Sequence, residues 1–162
     1  MNETNTSTLI KEFNIVLVED SHSYRLLLTK YLKNKAKLYS SHIINIHSFS
    51  NSKDCLKQIS QIEPDIAILD YNLDETTPTN YSDELTIENG YDLMLAVKDL
   101  LPRTKIVFLS DQTNIHVAAN IFHNGADGYI PKQPGGAGRT FDFITKIISD
   151  ILIDESNKAL GR

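Results

Sequence analysis

The sequence holds one cysteine, Cys55, in 162 residues. A single thiol closes no internal disulfide and completes no four-thiolate metal site, which excludes a disulfide scaffold or zinc ribbon and points to a reducing, cytoplasmic setting. Long hydrophobic runs are missing as well. None approaches the roughly 20 residues needed to span a bilayer, and Met1 to Thr8 has neither the basic start nor the apolar stretch of a signal peptide. Glycine (7) and proline (5) are too few for a collagen-like chain. Positive charge is not in excess either: 16 Lys and Arg against 21 Asp and Glu leave a net charge of −5, so binding to nucleic-acid phosphates is not expected. The five histidines show no paired metal-ligand spacing. What remains is a length and a composition, 41% hydrophobic and 23% charged, that suit one ordinary globular domain.

Five short apolar runs read as strands, at residues 15–18, 43–49, 66–69, 106–109 and 128–130. Three of them are apolar at every position, as parallel strands covered on both faces are. Helical spacing lies between and after them. Tyr24, Leu27, Leu28, Tyr31 and Leu32 form one stripe, and Phe141, Ile144, Ile148, Ile151 and Leu152 another. Cys55, Leu56, Ile59 and Ile62 mark a helix before Pro64, capped by Ser50 or Asn51. Leu93, Met94, Val97, Leu100 and Leu101 mark one ended by Pro102, and Ile115, Ala118, Ala119 and Phe122 one stopped at Gly125. The alternation predicts an α/β fold with a doubly wound, five-stranded parallel sheet and right-handed crossovers, flavodoxin-like, in strand order 2-1-3-4-5. The expected domain covers residues 12–154, between tails at 1–11 and 155–162. It carries an acidic insertion at 73–89 with five acids and no Lys or Arg. Because so little follows the last helix, a stand-alone domain acting through another protein is expected.

Ligands of such sheets bind beyond the carboxyl ends of the strands, where strand order reverses, between strands 1 and 3. Strand 1 ends in Glu19-Asp20, strand 3 in Asp70 and strand 4 in Ser110, and Lys132 follows strand 5. Converging carboxylates repel unless one is protonated or a hard cation neutralises them, and Mg²⁺ suits such an oxygen-donor set. A carboxylate can also attack phosphorus to form an aspartyl phosphate. Asp70 is the candidate nucleophile, Lys132 the cationic clamp, and Ser110 a hydroxyl donor to a phosphoryl oxygen. Each residue has a plainer reading: Glu19-Asp20 as acids at a helix start, Ser110 or Asp111 as a helix N-cap, Lys132 as a solvated loop lysine, Tyr129 as a packed edge aromatic, Cys55 as a core residue.

The ordered set of Glu19-Asp20 after Ile-Val-Leu-Val, Asp70 in Asp-Ile-Ala-Ile-Leu-Asp-Tyr-Asn-Leu, Ser110 after Ile-Val-Phe-Leu, and Gly-Ala-Asp-Gly-Tyr-Ile-Pro-Lys at 125–132 resembles the receiver domain of two-component response regulators. The resemblance covers roughly residues 12 to 153. It implies that Asp70 accepts a phosphoryl group from a sensor histidine kinase or histidine phosphotransfer protein. It further implies that Glu19, Asp20, Asp70 and the backbone carbonyl of Asn72 bind Mg²⁺. Ser110 and Tyr129 would be the switch pair, and the fourth helix, fifth strand and fifth helix would present the state to a downstream protein. The fold also allows a homodimer through the fourth and fifth helices. No membrane or direct nucleic-acid partner is implied, and no enzymatic turnover beyond self-catalysed phosphorylation and dephosphorylation. The sequence departs from the family at Asp111 beside Ser110, at Gln133 where Pro usually follows the lysine, in the glycine-rich segment that comes next, and in the long loop from Asp70 to Gly90.

Two other functions fit parts of this pattern. A phosphatase of the haloacid dehalogenase type also uses an Asp nucleophile after a strand, but resembles its relatives in an Asp-x-Asp whose second acid is Asn72 here. A receiver-like module that binds a partner without phosphate fits Asp111 and Gln133, but not the retained acids, Ser110 and Lys132.

Overall fold

The computed structural model describes residues 11–39, 42–73, 87, 89–111, 114–132 and 137–159. The chain alternates strand and helix throughout: β1 (Lys11–Val18), α1 (His22–Ala36), β2 (His42–Phe49), α2 (Ser52–Ile62), β3 (Ile66–Asp70), α3 (Gly90–Leu100), β4 (Lys105–Ser110), α4 (Ile115–His123), β5 (Gly128–Pro131) and α5 (Ala137–Ala159). The five strands are parallel and lie in the order β2-β1-β3-β4-β5. This is the expected order. Most of the acidic insertion, residues 74–86 and 88, and the segment 133–136 with Gln133 lie outside the described residues.

Side chains alternate across each strand, so a run that is apolar at every position feeds two cores. Phe13, Ile15, Leu17, Ile66, Ile68, Val107 and Leu109 pack with Leu28 and Leu32 of α1 and Phe141, Ile144 and Ile148 of α5. Val16, Val18, Ala67, Leu69, Ile106 and Phe108 pack on the other side with α2, α3 and α4. One polar position in β1 sets the register between neighbours. Asn14 N–H donates to Asp65 Oδ2 at 2.8 Å, Asp65 N–H returns a bond to Asn14 O at 2.9 Å, and Asn45 Nδ2 donates to Asn14 Oδ1 across the β1–β2 pair at 3.1 Å.

Helix ends follow local chemistry. Asn51, Asn89 and Asn114 cap α2, α3 and α4, each accepting a backbone N–H of the first turn. The cap of α4 is therefore Asn114, which removes the capping role expected of Ser110 or Asp111. At the other end, Gly125 at φ +102 closes α4 with bonds from Gly125 N–H to Phe122 O and Ala126 N–H to Ile121 O. That pairing is the Schellman stop the glycine predicts.

Three helix faces differ from their predicted stripes. On α4 the buried residue is Ile121, backed by Val117, while Ile115 and Phe122 are 76% and 48% exposed. Two apolar stripes run along this helix, and only its docking on the sheet selects one. On α1, Leu28 and Leu32 are buried but Leu27 is half exposed, because the helix turns Tyr24 and Tyr31 toward α5 instead. Leu100 of α3 is exposed as well. At the C-terminus α5 runs through Ala159, past residue 154, where the sequence pattern weakens.

Asp127 ties α3, β4 and the turn into β5 together. Its carboxylate accepts Ile106 N–H at 2.9 Å and pairs with Lys105 at 2.9 Å and Lys98 at 3.4 Å. Burial alone would raise its pKa, but the Ile106 amide and the two ammoniums outweigh it and hold the carboxyl below the ordinary aspartate range. A depressed pKa contributes stability that is complete above the unfolded-state value of about 3.9 and is lost as pH falls through the folded-state value. Asp127→Asn is expected to lower unfolding free energy near pH 7 by about 1–2 kcal/mol: its Oδ1 still accepts the Ile106 N–H, so the loss is the negative charge on that acceptor and its pairing with the two lysines. The gap to the wild type should close in the acid range in denaturant titrations. A gap that persists to about pH 2 would reject this assignment.

Candidate functional site

The carboxyl ends of β1 and β3 meet at the point where strand order reverses. Glu19, fully buried, and Asp20 follow β1, and Asp70 ends β3 almost completely buried. One carboxylate oxygen from each lies within 4.8 Å of the others. Lys132, directly after β5, reaches across with its ammonium 2.8 Å from Glu19 Oε2 and 3.0 Å from Asp70 Oδ2. All four residues come together as the sequence predicts.

Local folding fixes each of them. Ser21 accepts Tyr24 N–H at the start of α1, while its own N–H donates to Glu19 Oε1 at 3.1 Å, so the turn that caps the helix also orients the glutamate. Asn72 N–H donates to Asp70 Oδ1 at 3.2 Å, leaving Oδ2 to Lys132. Lys132 N–H donates to Ser110 O at 2.7 Å, which ties the lysine to the end of β4. Ser110 is fully buried, and by strand alternation it shares a sheet face with Phe108; Tyr129, paired with Phe108 in register, packs half-buried on that same side. Asp111, next to Ser110, is exposed.

Electrostatics follow from the crowding. Burial and the neighbouring Asp70 charge push the Glu19 carboxyl up, against the pull of Lys132. Burial alone would lower the Lys132 ammonium, but the two carboxylates outweigh it and hold it above the ordinary lysine range. The donor set is all oxygen, dense and negative, which fits a hard divalent cation.

Three further residues support this site, and the sequence reading gives none of them a role there. Arg25 donates through Nη1 to the backbone carbonyls of Glu19 at 2.6 Å and Asp20 at 3.2 Å, pinning the turn that presents both acids. Tyr24 lies with its ring under Lys132 Nζ, 4.8 Å from the ring centre. Burial pushes its phenol pKa up. Gly90 starts α3 against the backbone of Asp70: a Cβ there would collide with Asp70 O and lie 2.9 Å from Asp70 C and 3.1 Å from Tyr71 Cα. Asn-Gly immediately before the apolar stripe of α3 could have flagged a cap followed by a close approach. For Tyr24 and Arg25 nothing short of the fold shows what they touch.

A five-stranded parallel sheet in this order, with buried acids at its switch point and a lysine across from them, is a doubly wound α/β domain with a polar site at the carboxyl edge of its strands. The family model of the response regulator receiver domain matches residues 15–137, and the chain belongs to that family. Among curated proteins it is 29% identical over 101 residues to the regulatory protein LuxO of Vibrio cholerae, covering 60% of this chain and 20% of that protein. The chain thus spans about a fifth of that relative's length. Among solved structures it is similar to the signal receiver domain of a putative LuxO repressor from Vibrio parahaemolyticus, with TM-score 0.65 and 19% identity over 89% of this chain and 95% of that one. A response regulator from Burkholderia pseudomallei gives TM-score 0.63 and 17% identity, covering 93% and 75%. The chain is therefore a signalling domain of a two-component system. Among the described residues no helix is long and apolar enough to cross a membrane.

Proposed function

We propose that Asp70 is the phosphoacceptor of a two-component phosphorelay, receiving its phosphoryl group from a sensor histidine kinase or histidine phosphotransfer protein in the cytoplasm. The observation that carries this reading is the Asp70 carboxylate itself, buried at the end of the central strand and gripped through Oδ2 by an ammonium shared with Glu19. Asp70 attacks the phosphorus of a phosphohistidine; the new O–P bond forms as the P–N bond breaks, and the imidazole nitrogen keeps that electron pair. Lys132 then pairs with a phosphoryl oxygen, compensating charge where it develops. Glu19, Asp20, Asp70 and the carbonyl of Asn72 would hold Mg²⁺, which when bound neutralises phosphoryl charge. The phosphorylated aspartate of the Burkholderia protein supports the same role here.

Ser110 donates its hydroxyl to the phosphoryl group, and Tyr129, on the same sheet face, responds to that movement. The readout surface of this reading is α4, β5 and α5; Ile115 and Phe122 of α4 and Phe143 of α5 are exposed, at 76%, 48% and 55%, and offer apolar contacts to a downstream protein or to a second copy.

Intact-mass measurement after incubation with Mg²⁺ and a small acyl phosphate tests this reading directly. One phosphoryl adduct is expected. A folded protein that takes up none under those conditions would favour a receiver-like module working without phosphate. Millimolar Mg²⁺ alone is expected to raise the thermal midpoint by linkage, because an occupied site relieves repulsion among the three acids, and Asp20→Ala should remove that rise. An unchanged midpoint alongside normal phosphorylation would show that the metal ligands are wrong.

A further inference from the structure

We infer that Tyr24 is a positioning residue for phosphoryl transfer: its ring face holds the Lys132 ammonium in line with Asp70 while the anionic partners of that ammonium change. The inference rests on the phosphoacceptor reading above and adds a residue to it.

The Lys132 side chain is only 12% exposed, and its ammonium has two anionic partners, Glu19 Oε2 and Asp70 Oδ2. The Tyr24 ring lies on the cation, 4.8 Å from ring centre to Nζ. The ring has aromatic neighbours of its own. Phe141 of α5 sits 6.1 Å from it and lies tilted against Tyr31, about two helical turns further along α1, at 4.7 Å. An aromatic held by two helices thus closes one side of the lysine.

The chemistry gives that placement a purpose. Lysine is a point charge on a flexible four-carbon stem, and it is useful to the reaction only where it faces the phosphoryl group. When Asp70 becomes an acyl phosphate it surrenders the negative charge that held Lys132, and the ion pair must be remade to a phosphoryl oxygen. A carboxylate in the place of Tyr24 would hold the lysine but repel the incoming dianion, and an aliphatic side chain would attract nothing. The ring quadrupole attracts the cation without adding net charge, and does so more strongly in a desolvated site.

The test is a graded series at position 24, with phosphorylation by an acyl phosphate as the readout. Tyr24→Phe keeps the ring face and is expected to stay within about twofold of the wild type. Phenylalanines bearing one, two and three ring fluorines keep nearly the same shape but weaken the quadrupole, so the logarithm of the rate should fall in steps. Tyr24→Leu should be slower by about tenfold, equivalent to about 1.4 kcal/mol. A packing role alone would leave the fluorinated series flat, and a flat series overturns the inference. Lys132→Ala separates this from failure of the underlying reading. If that variant is slow and the fluorine dependence vanishes in its background, the ring acts through the lysine. If the dependence persists there, the ring acts elsewhere and the inference falls alone. If Lys132→Ala is phosphorylated at the wild-type rate, the role given to the lysine falls, and that of Tyr24 with it.

Discussion

Asp70→Asn is expected to abolish phosphoryl uptake completely, and to do so without unfolding the protein. The adduct on the wild type should be stable in acid and labile in base, as a carboxyl phosphate is. An amide is no nucleophile toward phosphorus at neutral pH, and Asp70 is the carboxylate that ends the central strand, in contact with Lys132. The substitution preserves shape, so the end of β3 keeps its packing. It also removes one of three acids whose oxygens lie within 4.8 Å, relieving like-charge repulsion, while Lys132 keeps its partner Glu19. The thermal midpoint should therefore hold or rise while the intact-mass adduct disappears. An adduct that survives in Asp70→Asn would sink the assignment.

Gly90→Ala is expected to have the largest effect on stability for its size. The added methyl collides with Asp70 O and comes within 3.1 Å of two further backbone atoms, so no side-chain rotation can relieve it. Either the first turn of α3 lifts off the sheet, breaking the Gly90 N–H bond to Tyr71 O at 3.0 Å, or the end of β3 moves. Overpacking against a fixed backbone costs about 1–3 kcal/mol, and the lost bond adds about 1. The denaturant midpoint should fall accordingly. Phosphorylation should slow even under conditions where the variant is fully folded, because the displaced backbone carries both Asp70 and Asn72. A midpoint and rate equal to the wild type would mean that α3 does not rest on the phosphoacceptor strand as described.

The acids, the lysine and the serine of the site were legible because each stands at the end of an apolar run, and a parallel α/β sheet brings strand ends to one edge. Their partners were not. Arg25 bonds to backbone carbonyls, which have no sequence identity, and Tyr24 meets Lys132 across more than a hundred residues of chain. The capping role of Asn114 was hidden by Ser110 and Asp111, which stand closer to the strand and offer the same chemistry. On α4, apolar residues at 115, 118, 119 and 122 share the helical period of 117 and 121, and a period cannot distinguish two faces that both satisfy it.

The element order, the all-apolar central strands, the stop at Gly125 and the residues that gather at the switch point are all written in the local sequence. These depend on local periodicity and on the general rule for where parallel sheets bind ligands. Which face of α4 and which leucines of α1 are buried, the close approach of α3 to Asp70 at Gly90, and the aromatic ring on the lysine of the site emerge from the packing of the folded chain. Each of these is a contact between elements distant in the chain, settled by how the helices seat on the twisted sheet, and no local pattern encodes that seating.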